Sequence, residues 1–322
     1  MLHSFSFSTR SIIVPRVLVV GAYPFDSGKT HLSIQLGKNF IDSGYSVNYF
    51  KPISGHNYWY HYEHTRRCLE NRQLVSRDAT IVRQELRLTS DLLLMNPVHS
   101  LFSPARIDRP LQNIISSLGL SGSTSVQVMQ RFSQPIRTEV DSTMLIANKL
   151  LEEERLIIGI EEAGMLSYGT SIVNANSLED FQEFEQMHYE EHVSKSFSSI
   201  EKGADMVIIE SFNDAVWPWE SLEYVDHVFV VSPGHVFNYD PERIRKASFL
   251  MKRGNLPLRE VTFGRVADLL KPMSKIEVRP DSDLSYDQMK TLDVEPRHKE
   301  KMIKRDDERH QKKGTERTEA SD

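Results

Sequence analysis

The stretch RVLVVGAYPFDSGKTHLSIQLGKNFIDSG, residues 16–44, constrains the fold more than any other part of the chain. Its β-branched start, residues 16–20, reads as a buried strand. Leu32, Ile34, Leu36, Phe40 and Ile41 then fall at the spacing of one helix face, closed near Gly44. YSVNYF, residues 45–50, reads as a second strand. Strand, loop, helix and strand in this length make one βαβ unit, which demands a parallel sheet and a right-handed crossover. The loop itself ends in Gly28-Lys29-Thr30, as the phosphate-binding pattern G-x-x-x-x-G-K-[ST] does. The first glycine of that pattern would fall at Tyr23, however, and the nearest glycine is Gly21.

The chemistry survives the shift. Backbone N–H groups at a helix start offer donors and a positive dipole end to phosphate oxygens. Asp26, Ser27, Gly28, Lys29 and Thr30 are therefore the nucleotide-binding candidates. Lys29 reaches toward β- and γ-phosphates, and the Thr30 hydroxyl is a Mg²⁺ ligand in such loops. A turn that merely contains Gly-Lys-Thr is the competing reading, and the strand before it and helix after it argue against that. FKPISG, residues 50–55, follows the second strand directly. A lysine there, Lys51, lies at the carboxyl end of a parallel strand, where ligands bind in open α/β sheets. On its own it would be read as a solvated loop lysine.

Elsewhere the pattern is uneven. Residues 56–90 read as mainly helical, and 154–164 as a further strand. Ser- and Gln-rich text between 108 and 150 gives little to fix a fold. ADMVIIE (204–210) and VDHVFVVSP (225–233) are strongly marked strands, and Asp240-Pro241 opens a helix. The expected layout is an N-terminal overhang over 1–15, a single domain over 16–280 with an inserted segment at 106–200, and a charged, disordered tail over 281–322. The 322 residues carry 45 acidic and 39 basic side chains, so no global charge favours nucleic acid or a membrane surface as partner. No apolar run has the length of a transmembrane helix. The single cysteine, Cys68, excludes an internal disulfide and fits a reducing, cytoplasmic setting. His61 and His64 share a helix face, but with no thiol or acid set read beside them they are taken as surface or core residues. Tyr58, Trp59 and Tyr60 are read as packing before they are read as substrate walls.

Taken in order, GKT (28–30), KPISG (51–55), SRDATIV (76–82), MNPV (95–98) and GADMVIIESFNDA (203–215) resemble the motifs of dethiobiotin synthetase and its P-loop relatives, which include the cobyrinic acid amide-forming ligases. The resemblance covers roughly residues 16–105 and 200–270. It implies an α/β P-loop NTPase fold with a mostly parallel central sheet flanked by helices. It also implies Mg²⁺ held by Thr30, Asp78 and Glu210, and Lys29 and Lys51 flanking the transferred phosphoryl group as the catalytic residues. Ser54 would touch the substrate, and relatives of this class imply a homodimer with sites near the interface. The family loop has five residues between its glycine and GKT, and this chain has six.

Two departures bear on the substrate. The family's EGAGG becomes ESFND at 210–214, which sets Phe212 where a glycine borders the substrate, and HNYWYHYEH after Gly55 has no counterpart. Both point away from the diamino acid of biotin synthesis. The expected function is thus Mg²⁺-dependent binding and hydrolysis of ATP, with GTP left open, coupled to a ligase-like step on a small carboxylate or amine. The alternative expectation is a regulatory ATPase or GTPase switch acting through a protein partner.

Overall fold

The computed structural model describes residues 14–106 and 125–294, and the architecture is α/β with two mixed sheets. The first sheet begins as expected. β1 (Arg16–Gly21) feeds α1 (Lys29–Asp42) and then β2 (Val47–Phe50). β8 (Met206–Glu210) lies between them, parallel to both, and β9 (His227–Ser232) is parallel to β1 on its other side. These four strands are near-continuous apolar runs because both faces are covered. Tyr49 and Phe50 show the two coverings. Adjacent strand residues point to opposite faces; Tyr49 meets α1 through a shared carboxylate, and Phe50 packs on Phe197 of α7 (Leu178–Glu201).

The sheet is not parallel throughout. β10 (His235–Tyr239) and β11 (Ser274–Glu277) extend it antiparallel beyond β9. Pro233 and Gly234, the latter at φ 81°, join β9 to β10 by a tight turn, and such a turn connects only antiparallel neighbours.

The second sheet replaces much of what the sequence left undefined. Its order is β3 (Ile53–Asn57), β4 (Val98–Pro104), β5 (Ser125–Ile136), β6 (Glu139–Ile146) and β7 (Ser171–Asn174). It begins at Ile53, well before the expected insertion boundary of 106, and KPISG is therefore the entry to a new sheet. Helices α2 (Tyr62–Glu70) and α3 (Arg77–Glu85) fall in the span 56–90 read as mainly helical, and α4 (Leu92–Met95) follows before β4. The strand expected over 154–164 is instead a bridge at Leu156 followed by a helix, since α5 (Asn148–Glu152) is succeeded by α6 (Ile160–Leu166). Glu162 accepts from Gly159 N at 3.0 Å, and this cap starts α6 where apolar composition suggested a strand.

α8 (Pro241–Met251) opens as expected, with Asp240 accepting from Arg243 N at 2.9 Å. α9 (Phe263–Val266) follows. Past 281, where a disordered tail was expected to begin, α10 (Tyr286–Thr291) is capped by Ser285 and buries Met289, with Leu292 and Val294 buried behind it. The rest of the charged tail and residues 1–13 lie outside the described residues. One core unites Val17–Val20, Ile208 and Phe229 of the first sheet with Ile53, Val98 and Phe132 of the second.

Candidate functional site

The carboxyl ends of β1, β2 and β8 lie along one edge, and the site is built there. β1 ends at Gly21, whose position leaves no room for a side chain: a Cβ would stand 2.8 Å from Asn213 O, 2.8 Å from Tyr23 O and 2.9 Å from Lys29 Nζ. The loop then folds on itself. Ser27 is buried, donates to Tyr23 O at 2.7 Å and accepts from Tyr23 N at 3.3 Å. Tyr23 and Phe25 turn outward into solvent, and Asp26 is exposed with φ 52°. Gly28, at φ 90°, takes the last step into α1, a helix start with no side-chain cap. Its N-terminal N–H groups are free of side-chain acceptors and carry the positive end of a 14-residue dipole.

Two of the expected residues, Thr30 and Lys51, bond Glu210, a fully buried carboxylate at the end of β8, and a third, Asp78, joins through Lys51. Thr30 Oγ1 donates to Glu210 Oε1 at 3.0 Å. Lys51 Nζ lies 2.7 Å from the same oxygen and also donates to Asp78 Oδ2. Two further groups hold the other oxygen, Tyr49 OH at 3.0 Å and Ser33 Oγ at 3.2 Å. Asp78 sits in the first turn of α3, behind the cap Ser76, so it serves the helix dipole and the cluster together. Lys29 is buried at the start of α1, with Nζ close to Gly21.

The charges set one another. Burial alone would lower the Lys51 ammonium, but Glu210 and Asp78 reverse this and hold it above its ordinary value. Lys51 in turn holds Asp78 below the usual carboxylate range, against the effect of burial. Lys29 is lowered by burial and by the neighbouring Lys51 charge, with Glu210 opposing. Burial raises the Asp214 carboxyl, and burial with Glu210 raises the Tyr49 phenol well above its usual value. Two cations and two anions thus lie together, Lys51 and Glu210 shut off from solvent, where Coulomb terms are stronger than in water, and Asp78 partly exposed.

Ser54 and Phe212 both lie on the wall of a cavity of about 170 Å³. Phe102, Gln127, Glu185 and Arg259 are among its other lining residues. Arg259 is paired with Glu185 at 2.6 Å and stacks over Tyr189 at 4.0 Å, so these two charges of the wall neutralise one another. Behind Ser54 runs a hydrogen-bonded chain that the sequence reading missed. Ser54 Oγ donates to Asn96 Oδ1 at 3.0 Å and lies 2.6 Å from His99 Nδ1; His99 Nε2 lies 2.7 Å from His56 Nδ1. Burial holds both imidazoles well below their ordinary pKa, hence neutral near pH 7. Asn96 also donates to Lys51 O at 2.7 Å, which ties this chain to the lysine.

A signal existed for part of this. Tyr49 and Lys51 are two apart at a strand end and share a face, and Ser33 is one helical turn from Lys29 and Thr30. His99 and His56 come from different strands, paired only through the second sheet's register of Ser54 with His99. His61 is the N-cap residue of α2, accepting from Asn57 N at 3.2 Å, and Tyr58 is buried while Trp59 and Tyr60 are exposed. Among the described residues no helix is long and apolar enough to cross a membrane. Comparisons of the chain with protein-family models, with curated proteins and with solved structures return no match, so the resemblance rests on the motifs alone.

Proposed function

We propose that the chain is a P-loop enzyme that binds a nucleoside triphosphate with Mg²⁺ and hydrolyses it or transfers its terminal phosphoryl group. The observation that carries this reading is the cluster in which Thr30 and Lys51 bond Glu210 and Lys51 also pairs with Asp78, beside Lys29 at an uncapped helix start. The loop amides and Lys29 receive the phosphates. One hydroxyl and two carboxylates, from Thr30, Asp78 and Glu210, are a hard-oxygen set suited to Mg²⁺, which takes its remaining ligands from phosphates and water. The bound ion supplies charge neutralisation at the phosphates. Lys51 bonds both carboxylates, and were Asp78 and Glu210 to hold the cation its ammonium would be available to the phosphoryl group.

The cavity beside Ser54 and Phe212 is too small for a second nucleotide and fits a small acid or amine. On this reading a carboxylate bound beside Ser54 attacks the γ-phosphate as the nucleoside diphosphate leaves, and an amine then displaces phosphate from the acyl phosphate. Adenine and guanine are not distinguished by any of these groups, and ATP is the first nucleotide to test.

Thermal unfolding with and without MgATP tests the reading. A ligand at about 100 times its Kd stabilises the folded state by about 2.7 kcal/mol, so a clear rise in Tm is expected for the wild-type chain. Lys29→Ala should lose the shift while keeping its ligand-free Tm within a few degrees. An equal shift in wild type and Lys29→Ala would sink the loop assignment. Hydrolysis that no small acid or amine stimulates would remove the ligase step and leave the NTPase.

A further inference from the structure

Outside the cluster at Glu210, one group of side chains has the composition and spacing of a transition-metal centre. His64 and Cys68 are one turn apart on α2, and His56 on β3 faces them. One ligand atom from each of the three lies within 4.8 Å of the other two. His64 Nε2 and Cys68 Sγ are 3.6 Å apart. A tetrahedral ion bound at about 2.0–2.1 Å to nitrogen and about 2.3 Å to sulfur places such ligands about 3.6 Å from each other. The His56 and His64 ring centroids are 4.9 Å apart, near perpendicular.

We propose that His56, His64 and Cys68 form a binding site for a borderline-soft divalent ion of the Zn²⁺ class, distinct from the hard-oxygen set at Glu210. The surroundings support it in three ways. Cys68 and His56 are buried, and Cys68 belongs to an apolar cluster with Leu74, Val75 and Leu101, so the shell around the ion is dry. His64 Nε2, at 2.8 Å, and the thiol, at 3.8 Å, share the Val75 carbonyl as acceptor, which keeps the two side chains together; metal binding gives up both bonds. His56 has an outer partner in His99, the arrangement that fixes ring orientation in metal-bound histidines.

Occupancy has a consequence for the cavity. Binding replaces the Cys68 thiol proton, which leaves to solvent, and moves the His64 proton from Nε2 to Nδ1. With His56 Nδ1 held by His99, Nε2 is the nitrogen left for the ion, its weak 3.2 Å contact to Thr65 Oγ1 being given up. His56 Nδ1–H then donates to His99 Nε2, His99 Nδ1–H donates to Ser54 Oγ, and Ser54 donates to Asn96 Oδ1. The ion therefore selects one of the two proton arrangements that this chain of bonds allows, and fixes the direction of the Ser54 hydroxyl on the cavity wall.

Titration of the reduced full-length chain with Co²⁺, followed by absorbance, tests the site, with Zn²⁺ competition and metal analysis as the second measurement. One equivalent should produce a thiolate-to-cobalt charge-transfer band and tetrahedral d–d bands, reversed by Zn²⁺. Cys68→Ser should abolish the charge-transfer band, and His64→Asn should weaken binding at least as much as removal of the outer partner. His99→Leu should lower affinity about 10- to 100-fold. His61→Asn, outside the set, should change nothing. Absence of a thiolate band in the folded wild-type protein, or equal Co²⁺ affinity in His64→Asn, overturns the proposal. The wild-type spectrum decides even where Cys68→Ser does not fold, and it is independent of any nucleotide response.

Discussion

Gly21 stands where β1 gives way to the loop, with two backbone carbonyls and the Lys29 ammonium inside the space a methyl group would need. Backbone oxygens cannot rotate aside as a side-chain tip can. Gly21→Ala should therefore cost about 1–3 kcal/mol as an overpacking defect. It should also displace Lys29, so the urea midpoint and the MgATP-induced Tm shift should fall together. A variant that loses neither contradicts the close approach. At this scale the sequence was informative where neighbours in the chain are neighbours in space. Gly28, Lys29 and Thr30 belong to one loop, and Lys51 follows its strand directly. Glu210 could be placed because β8 is an unbroken apolar run with an acid at its end. His99 was invisible because nothing local distinguishes it; only the register of β3 with β4 sets it against Ser54. The His64-Cys68 spacing was visible, but its third member comes from β3.

Among the elements, α7 joins the two sheets. Its Phe197 packs on Phe50 of β2 at 5.2 Å and on Trp219 at 5.0 Å, while His192 lies against Phe132 of β5 at 5.7 Å. Phe197→Ala should destabilise the fold by about 3–5 kcal/mol, the usual range for a buried aromatic, measured by urea or thermal unfolding. A cost under about 1 kcal/mol would mean that α7 does not brace the sheets. The helix is capped by Ser177, which accepts from Asp180 N at 3.3 Å. β5 and β6 were not legible in the sequence, because polar residues occupy their buried positions. Gln130, Arg131, Ser133 and Ser142 are inside. Arg131 is held by Leu74 O at 2.8 Å and Asn96 O at 2.7 Å, and burial lowers its guanidinium to about 10. Such a strand shows neither clean alternation nor an apolar run.

For the molecule as a whole, buried neutral imidazoles set the response to acid. His192 on α7 is held below its ordinary pKa by burial, with His188, Glu191, Lys195 and the Ser133 backbone facing it. Its Nδ1 has no hydrogen-bond partner among the described residues. His227 on β9 is lowered likewise, against Asp226 and Asp293. Below the unfolded value near 6.5 the unfolded chain takes up protons that the folded chain refuses. Stability should hold above about pH 6.5 and decline below it, by at most about 1.4 kcal/mol per pH unit for each such histidine. Urea midpoints between pH 7.5 and 5.5 measure this, and His192→Phe should flatten the decline. A midpoint that rises on acidification would contradict it.

The chain passes between the two sheets only twice among the described residues, at Lys51-Pro52 and through α7. The first crossing is two residues long and pinned on both sides, Lys51 N donating to Met95 O at 2.8 Å and Asn96 Nδ2 to Lys51 O at 2.7 Å. The second sheet is thus hung on a short pivot and a long strut, and the pivot residue carries the ammonium that bridges Asp78 and Glu210. Lys51 and Ser54, three positions apart, thus tie the carboxylate pair and the small cavity to the same short stretch of backbone.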